Sequence, residues 1–407
     1  MLNSLKPVDL KIQEHLFDFN KNKQVAFNAN AYSEKLESSV GFVKSDMPFS
    51  VDNEVLQMKY FDGKLYLVLS DGYLYAYEGY VKKICDVKIS STLNFGYVDF
   101  RGNKSLIVAS ASNSVLLYDN ELYILPFSTA DFQYAFGRIF YYKDNTIFFT
   151  KQYDFFSEPE GAIKIDDLNS FRKLYLIHDE LFLICQHEIY KIPRFADAKE
   201  IKLTVVPVNV ENINLNTIWG VDDCIYFLKG RDLCKFDGKN ITSFTTCISS
   251  HDYIIDTVNT GVHNGYVNIR VINNERGNML YQYNVKTGEE TLIDYPGKLF
   301  SCYSACIDSD GTIMFLVEGG KRDVVYRSVD TDFSIKKNKR TYSISGYASK
   351  PTTVTLIGDF GEKVFSFKKG YNEIFCNYES MNFKVKISCF DENVLIQGLK
   401  IKYTTID

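Results

Sequence analysis

The sequence predicts an all-β chain, a β-propeller of about seven blades followed by a C-terminal immunoglobulin-like β-sandwich. Three observations carry that expectation. A unit made of an apolar strand, a polar turn and a second apolar strand recurs along most of the 407 residues. The spacing between matching first strands is about 40 residues, the length of a four-stranded blade. Aromatic residues make up 15% of the chain, with 29 Tyr and 31 Phe beside one Trp, and such side chains suit pleated, half-buried surfaces.

Taken in order, residues 1–50 hold few clean strands and are expected to form an N-terminal arm that crosses onto the propeller. Within it, KIQEHLFD is expected to form one or two helical turns, and Leu16, Phe17 and Phe42 supply apolar surface. The repeats occupy residues 51–329. The first is FDGKLYLVLSDGYLYAYEG (61–79), hinged on Ser70-Asp71-Gly72. Others lie at 103–125, 137–156, 171–192, 221–241, 265–293 and 304–329. Their turns, such as Asp71-Gly72 and Thr287-Gly288, use residues for which a positive φ is cheap. A single blade cannot bury both faces alone, so neighbouring blades are expected to stack. KKNKRTY (336–342) reads as a charged linker, and residues 330–407 as the sandwich, with Val354 and Leu356 among its apolar positions.

Composition narrows the function. With 45% hydrophobic and 24% charged residues, the chain reads as soluble and globular. No apolar run of about 18 residues marks a membrane span, and the first residues lack the pattern of a secretion signal. Nine irregularly placed cysteines predict reduced thiols and cytosolic folding rather than a disulfide framework. The formal net charge is −5, yet residues 330–407 hold 12 Lys/Arg against 9 Asp/Glu and residues 1–50 hold 6 of each, which leaves the middle with 28 against 36. That acidic middle argues against a surface that grips nucleic acid, since phosphate contacts need clustered Lys and Arg.

Candidate chemical sites do not survive inspection of their spacing. His178 and His187 fall at opposite ends of a hairpin. Cys302 and Cys306 share a strand face without a second pair at zinc-site distance. Asp308-Ser309-Asp310-Gly311 opens like a calcium loop, but Gly319 stands where the bidentate Glu belongs. Gly319-Gly320-Lys321-Arg322 lacks the earlier glycine and the final Ser/Thr of a phosphate loop. Asn103-Lys104-Ser105 and Asn240-Ile241-Thr242 match a glycosylation pattern only. The expectation is therefore no catalytic residue, no metal and no cofactor.

The stretch GRIFYYKDNTIFFTKQYDFFSEPEG (137–161), with 170–192 after it, resembles the β-propeller structural proteins of tailed bacteriophages: tail nozzle, packaged-DNA stabilisation and tail-completion proteins. The matching residues are Gly137-Arg138, Ile147-Phe148-Phe149, Ser157-Glu158-Pro159-Glu160, Leu174, Leu181 and Ile189-Tyr190-Lys191-Ile192. Ala162-Ile163 stand where the family has a tryptophan. Residues 28–46 and 394–406 are similar to the ends of such proteins. The resemblance implies a non-enzymatic component of a phage or prophage-derived virion, in the tail or head-tail connector, assembled in the host cytoplasm. It implies neighbouring virion subunits and copies of itself in a ring as partners, and an acidic channel suits passage of DNA without trapping it. The alternative is a receptor- or glycan-binding propeller such as a tail-tip adhesin, and a propeller hydrolase or lyase comes third. Exposed Tyr and Phe around one mouth favour glycan binding; apolar patches on the rim favour assembly.

Overall fold

The computed structural model describes residues 12–38, 41–44, 53–164, 171–185, 187–194, 201, 203–210, 213–263, 265–273, 277–294, 297–299, 305–308, 313–317, 324–389 and 394–406. Their regular secondary structure is almost entirely β-strand, and their contacts divide the chain into two compact units.

One unit comprises Lys44–Asn274 and Pro296–Met314. It contains five successive four-stranded antiparallel sheets in simple up-and-down order. The first is Val55–Phe61, Lys64–Leu69, Leu74–Tyr77 and Val81–Lys83. The others span 93–125, 132–164, 171–205 and 213–244. The first hairpin of every one of these sheets is closed by two residues that both have positive φ: Asp62-Gly63, Arg101-Gly102, Phe136-Gly137, His178-Asp179 and Asp222-Asp223. Two-residue turns of this kind match the right-handed twist of the flanking strands. The expected turns at Asp71-Gly72 and Thr287-Gly288 are present, with φ of +83° and +73° at the glycines.

Stacking follows from which faces are apolar. In the second sheet Leu106, Val108, Val115 and Leu117 pack with Tyr66, Val68 and Leu74 of the first. Their neighbours Ile107, Ala109 and Leu116 point the other way, onto Phe132, Ile139 and Tyr141 of the third. The third and fourth sheets share a further cluster, as do the fourth and fifth. Middle strands buried on both faces explain why the sequence reads there as continuous apolar runs such as LIVA rather than as alternation. The arrangement is propeller-like.

Gly137, Arg138 and Glu160, three of the residues that carry the phage resemblance, meet in a brace on the third sheet. Arg138 pairs with Glu160 and donates to Thr150 O at 2.9 Å. Tyr153 N donates to Gly137 O at 2.7 Å. Gly137 has φ of +74°, and a Cβ there would stand 2.8 Å from the Tyr153 ring. Gly137→Ala is expected to lower stability by about 1–3 kcal/mol, read as an earlier denaturation midpoint at unchanged slope. An unchanged midpoint would show that the turn has another way to close.

The other unit comprises Met1–Val43, Glu275–Tyr295 and Phe315–Asp407, which differs from the expected boundaries at 50 and 329. Its division falls inside the repeat at 265–293, and the described residues 12–38 contribute Phe17, Phe19, Ala26 and Leu36 to its core. KIQEHLFD is largely a strand rather than a helix: Gln13–Leu16 pairs antiparallel with 400–403, and only Phe19–Asn22 makes a helical turn, capped by Asp18. Lys23–Phe27 lies between Glu290–Asp294 and Val324–Ser328 in one sheet, which continues through Phe383–Cys389 and Thr352–Gly358 to Gly361–Phe367. A second sheet runs Ala29–Tyr32, Lys35–Ser38, Leu395–Ile406, Asn338–Ala348, Gly370–Ser380. Side chains of both sheets form a single core that includes Phe17, Phe19, Tyr326, Ile344, Leu356 and Ile401.

The expected linker is also structural. Asn338–Ala348 is a central strand, and Lys339 is fully buried. Its ammonium donates to the carbonyls of Lys337 and Met381, each at 2.9 Å, and to Ile335 O at 2.5 Å. Three carbonyl acceptors offset the desolvation that pulls the Lys339 pKa down. A charge run in sequence thus conceals one lysine that faces inward.

Candidate functional site

The residues weighed in the sequence do not converge. His178 occupies a turn and is largely exposed, its ring nitrogen 3.9 Å from Asp223, and His187 lies in a separate exposed turn. Cys306 and Asp308 fall on a described strand whose side chains are not described, while Cys302, Ser309, Asp310, Gly311 and Gly319 to Arg322 lie outside the described residues. Among the described residues, no three His, Cys, Asp or Glu side chains gather as metal ligands. Cys85, Cys185, Cys224, Cys234, Cys247, Cys376 and Cys389 are free thiols. Burial raises the thiol pKa of Cys376 to about 11, away from nucleophilic chemistry.

A buried carboxyl emerges that sequence reasoning missed. Asp131 precedes the first strand of the third sheet and accepts from Leu174 N at 3.0 Å and from Asn94 Nδ2 at 3.3 Å. Desolvation pushes its pKa up to about 7, outweighing the nearby Lys173 and the two hydrogen bonds, which pull it down. The Tyr175 phenol, then the Asp131 carboxyl, hold the Lys173 ammonium above its ordinary value. Tyr175 in turn donates to Ile218 O at 2.8 Å, and its ring covers Gly220, where a Cβ would come within 2.9 Å. These contacts tie the second, third, fourth and fifth sheets together at their first strands. Asp131 bonds to backbone and amide groups and is 8% exposed, so the arrangement serves as a polar tie.

A surface cleft of about 650 Å³ lies between the first two sheets. Tyr66 and Leu117, both buried, line it with Phe61 and Tyr97, while Tyr118 borders it at the turn and directs its ring to the other face of its sheet, 5.1 Å from that of Phe100. Tyr60, 41% exposed, stands at the edge. Tyr97 donates to Tyr60 O at 3.2 Å, and its ring centroid is 5.6 Å from that of Phe61. The turns Asp62-Gly63 and Asp119-Asn120 bring carboxylate and amide groups to the rim. The local signal is an aromatic residue just before a positive-φ turn, as in Tyr60-Phe61-Asp62-Gly63 and Tyr118-Asp119-Asn120. Recognising it as a site requires knowing that the two sheets are neighbours.

A third feature belongs to the other unit. Tyr347 lies directly opposite Tyr371 across paired strands, and Phe375 follows four residues along the same face. Tyr371 is 69% and Phe375 83% exposed. Gly370–Ser380 ends its sheet, so the strip borders an edge strand. Beside it, Lys402 pairs with Glu373 at 3.0 Å and Lys400 with Glu14 at 3.1 Å.

These features define a class: an all-β chain of stacked four-stranded antiparallel sheets with exposed aromatic surfaces. No protein-family model and no curated protein matches it. Among solved structures it is similar to PorZ, a surface component of the type-IX secretion system of Porphyromonas gingivalis, at 14% identity and a TM-score of 0.44 over 89% of this chain and 46% of that one. The extracellular domain of BT4673, a hybrid two-component system protein of B. thetaiotaomicron, aligns at 9% identity and a TM-score of 0.47 over 90% and 60%. The WD40 domain of Neurospora crassa Pan2 aligns at 11% and 0.43 over 70% and 96%. The chain spans less than two thirds of the first two. No helix among the described residues is long and apolar enough to cross a membrane.

Proposed function

We propose that the chain is a non-enzymatic structural component of a phage or prophage-derived particle, placed in the tail or the head-tail connector. In this reading the repeats are a seven-bladed propeller and the C-terminal unit is an immunoglobulin-like sandwich. Its partners are neighbouring virion subunits, with copies of itself in a ring around a channel that DNA traverses. The observation that carries the reading is the aromatic strip Tyr347, Tyr371 and Phe375 beside the edge strand. Rigid tyrosine and phenylalanine side chains on a sheet edge are what an added strand or packed neighbour covers, and left bare they invite association. The sequence resemblance at 137–192 supplies the particle, and the strip supplies the contact.

The test is immunogold electron microscopy of particles purified from a culture that carries the gene. A label at one fixed position along the particle axis is expected. The Phe375→Asp chain should fold and melt like the parent, yet be missing from particles. Particles devoid of the chain would overturn the reading, and normal incorporation of Phe375→Asp would remove the strip from it.

A further inference from the structure

The strip of Tyr347, Tyr371 and Phe375 lies on the outer face of a sheet whose charges are sorted by strand. On the central strand Asn338–Ala348, Ser343 and Ser345 point to that face, since Ile344 between them belongs to the core. Ser345 stands between Lys400 on one neighbouring strand and Glu373 on the other, and Ser343 between Lys402 and Phe375. One flank of the central strand is therefore basic, while the other carries Glu373 and, opposite Arg340, Glu379. Lys402 pairs with Glu373 and Arg340 with Glu379, yet each of these side chains keeps a third or more of its surface in solvent.

A neighbour could extend the sheet at its edge or pack on its face. The edge is guarded. Lys363, on the last strand of the facing sheet, donates its ammonium to Asn377 O at 3.2 Å, and Tyr378 donates to Gly361 O at 2.5 Å. A lysine laid over an edge strand discourages the pairing of a further strand. The face remains, with long side chains on both flanks and short serines between them.

Charge identifies what covers it. A face with a basic strand and an acidic strand on either side of a central one is complementary to itself turned over. A two-fold axis along the central strand keeps every residue at its own level and exchanges the flanks. Glu373 of each copy then meets Lys400 of the other, Phe375 meets Lys402, and the two Tyr347 rings meet at the axis. An axis across the strands would instead set glutamates over glutamates and lysines over lysines, which like-charge repulsion opposes. Four strands in width and the eight residues from Arg340 to Tyr347 in length make a face of about 20 Å by 27 Å, so the pair buries about 1,000 Å², the lower bound of specific interfaces.

We propose that this face binds a second copy of the chain in a two-fold dimer, with Glu373 and Lys400 as the reciprocal ion pair. The small area places the dimer in the micromolar class. The inference rests on the strip being a contact, as in the particle reading, and names its occupant; a ring assembled through it counts its subunits in pairs.

Sedimentation equilibrium of the full chain between about 1 and 200 µM should show a reversible dimer that weakens with added salt. Glu373→Lys and Lys400→Glu, both at exposed positions, should each weaken it by about tenfold or more, because each sets two pairs of like charges face to face. An equimolar mixture of the two variants should form a heterodimer, and a chain carrying both substitutions should dimerise again, which a folding defect could not produce. A chain that stays monomeric over this range overturns the proposal, as do single variants that dimerise like the parent or a double variant that does not recover. A monomeric chain that enters particles unless Phe375→Asp is present would assign the strip to another virion protein, overturning the dimer and keeping the particle reading. A dimer formed by a chain that particles lack would uphold the dimer and overturn that reading.

Discussion

Deleting residues 1–38 is expected to unfold the unit that contains the C-terminus, leaving residues 315–407 protease-sensitive and without a cooperative melt of their own. Lys23–Phe27 is paired on both sides, with Glu290–Asp294 in parallel and Val324–Ser328 antiparallel. Its loss opens a sheet in the middle rather than trimming an edge. Phe17 and Phe19 are fully buried, their rings 6.3 Å and 5.0 Å from that of Tyr326, whose hydroxyl donates to Phe19 O at 3.1 Å. Phe19→Ala alone should cost about 3–5 kcal/mol, since a fully buried ring leaves both lost burial and a cavity. Proteolysis and denaturant unfolding of both chains check this. A deletion chain that still melts as the parent does would show that residues 1–38 only cover a core that stands without them.

Asp131→Asn is expected to flatten part of the pH dependence of stability. The folded-state pKa of about 7 lies above the ordinary 3.8, so the folded protein holds this proton more tightly than the unfolded chain does. The stability tied to it is fully present below about pH 4 and is lost as pH rises through 7. Above pH 7 the charged, desolvated carboxylate costs at most on the order of 4 kcal/mol, with the attraction of the Lys173 ammonium already included. An asparagine keeps an acceptor for Leu174 N and carries no charge, and the Asn94 amide can turn to meet its NH₂ group. The variant should therefore match the parent below about pH 4 and exceed it at pH 8, with the gap opening from about pH 4 and levelling off above pH 7. Denaturation midpoints at a series of pH values give the difference directly, and other titrating groups cancel in it. A gap that does not change with pH would mean that Lys173 keeps Asp131 charged throughout.

Legibility in the sequence followed range. The hairpins of the repeat were legible because a two-residue positive-φ turn and its flanking strands are contiguous, so Asp71-Gly72 and Thr287-Gly288 announce themselves. The hairpin at 171–192 was legible too, but not the positive φ of both His178 and Asp179 at its turn, because neither residue is glycine and the left-handed geometry is held by strand pairing on both sides. Lys339 illustrates the limit from the other direction: in KKNKRTY it is one of several charges, and only the three carbonyls around its ammonium distinguish it from its neighbours.

The sequence by itself determined an all-β chain of repeated antiparallel hairpins, with apolar runs where a strand is buried on both faces, because alternation, turn chemistry and composition act within a few residues. The tertiary structure alone decided that residues 12–38 are core rather than arm, since pairing of Lys23–Phe27 with strands some 270 and 300 residues later leaves no local mark. It also decided that Phe61, Tyr66 and Tyr97 share one cleft and that Asp131 is desolvated beside Lys173. Those properties belong to the space between sheets, where burial and proximity are set by which surfaces meet rather than by which residues are adjacent in the chain.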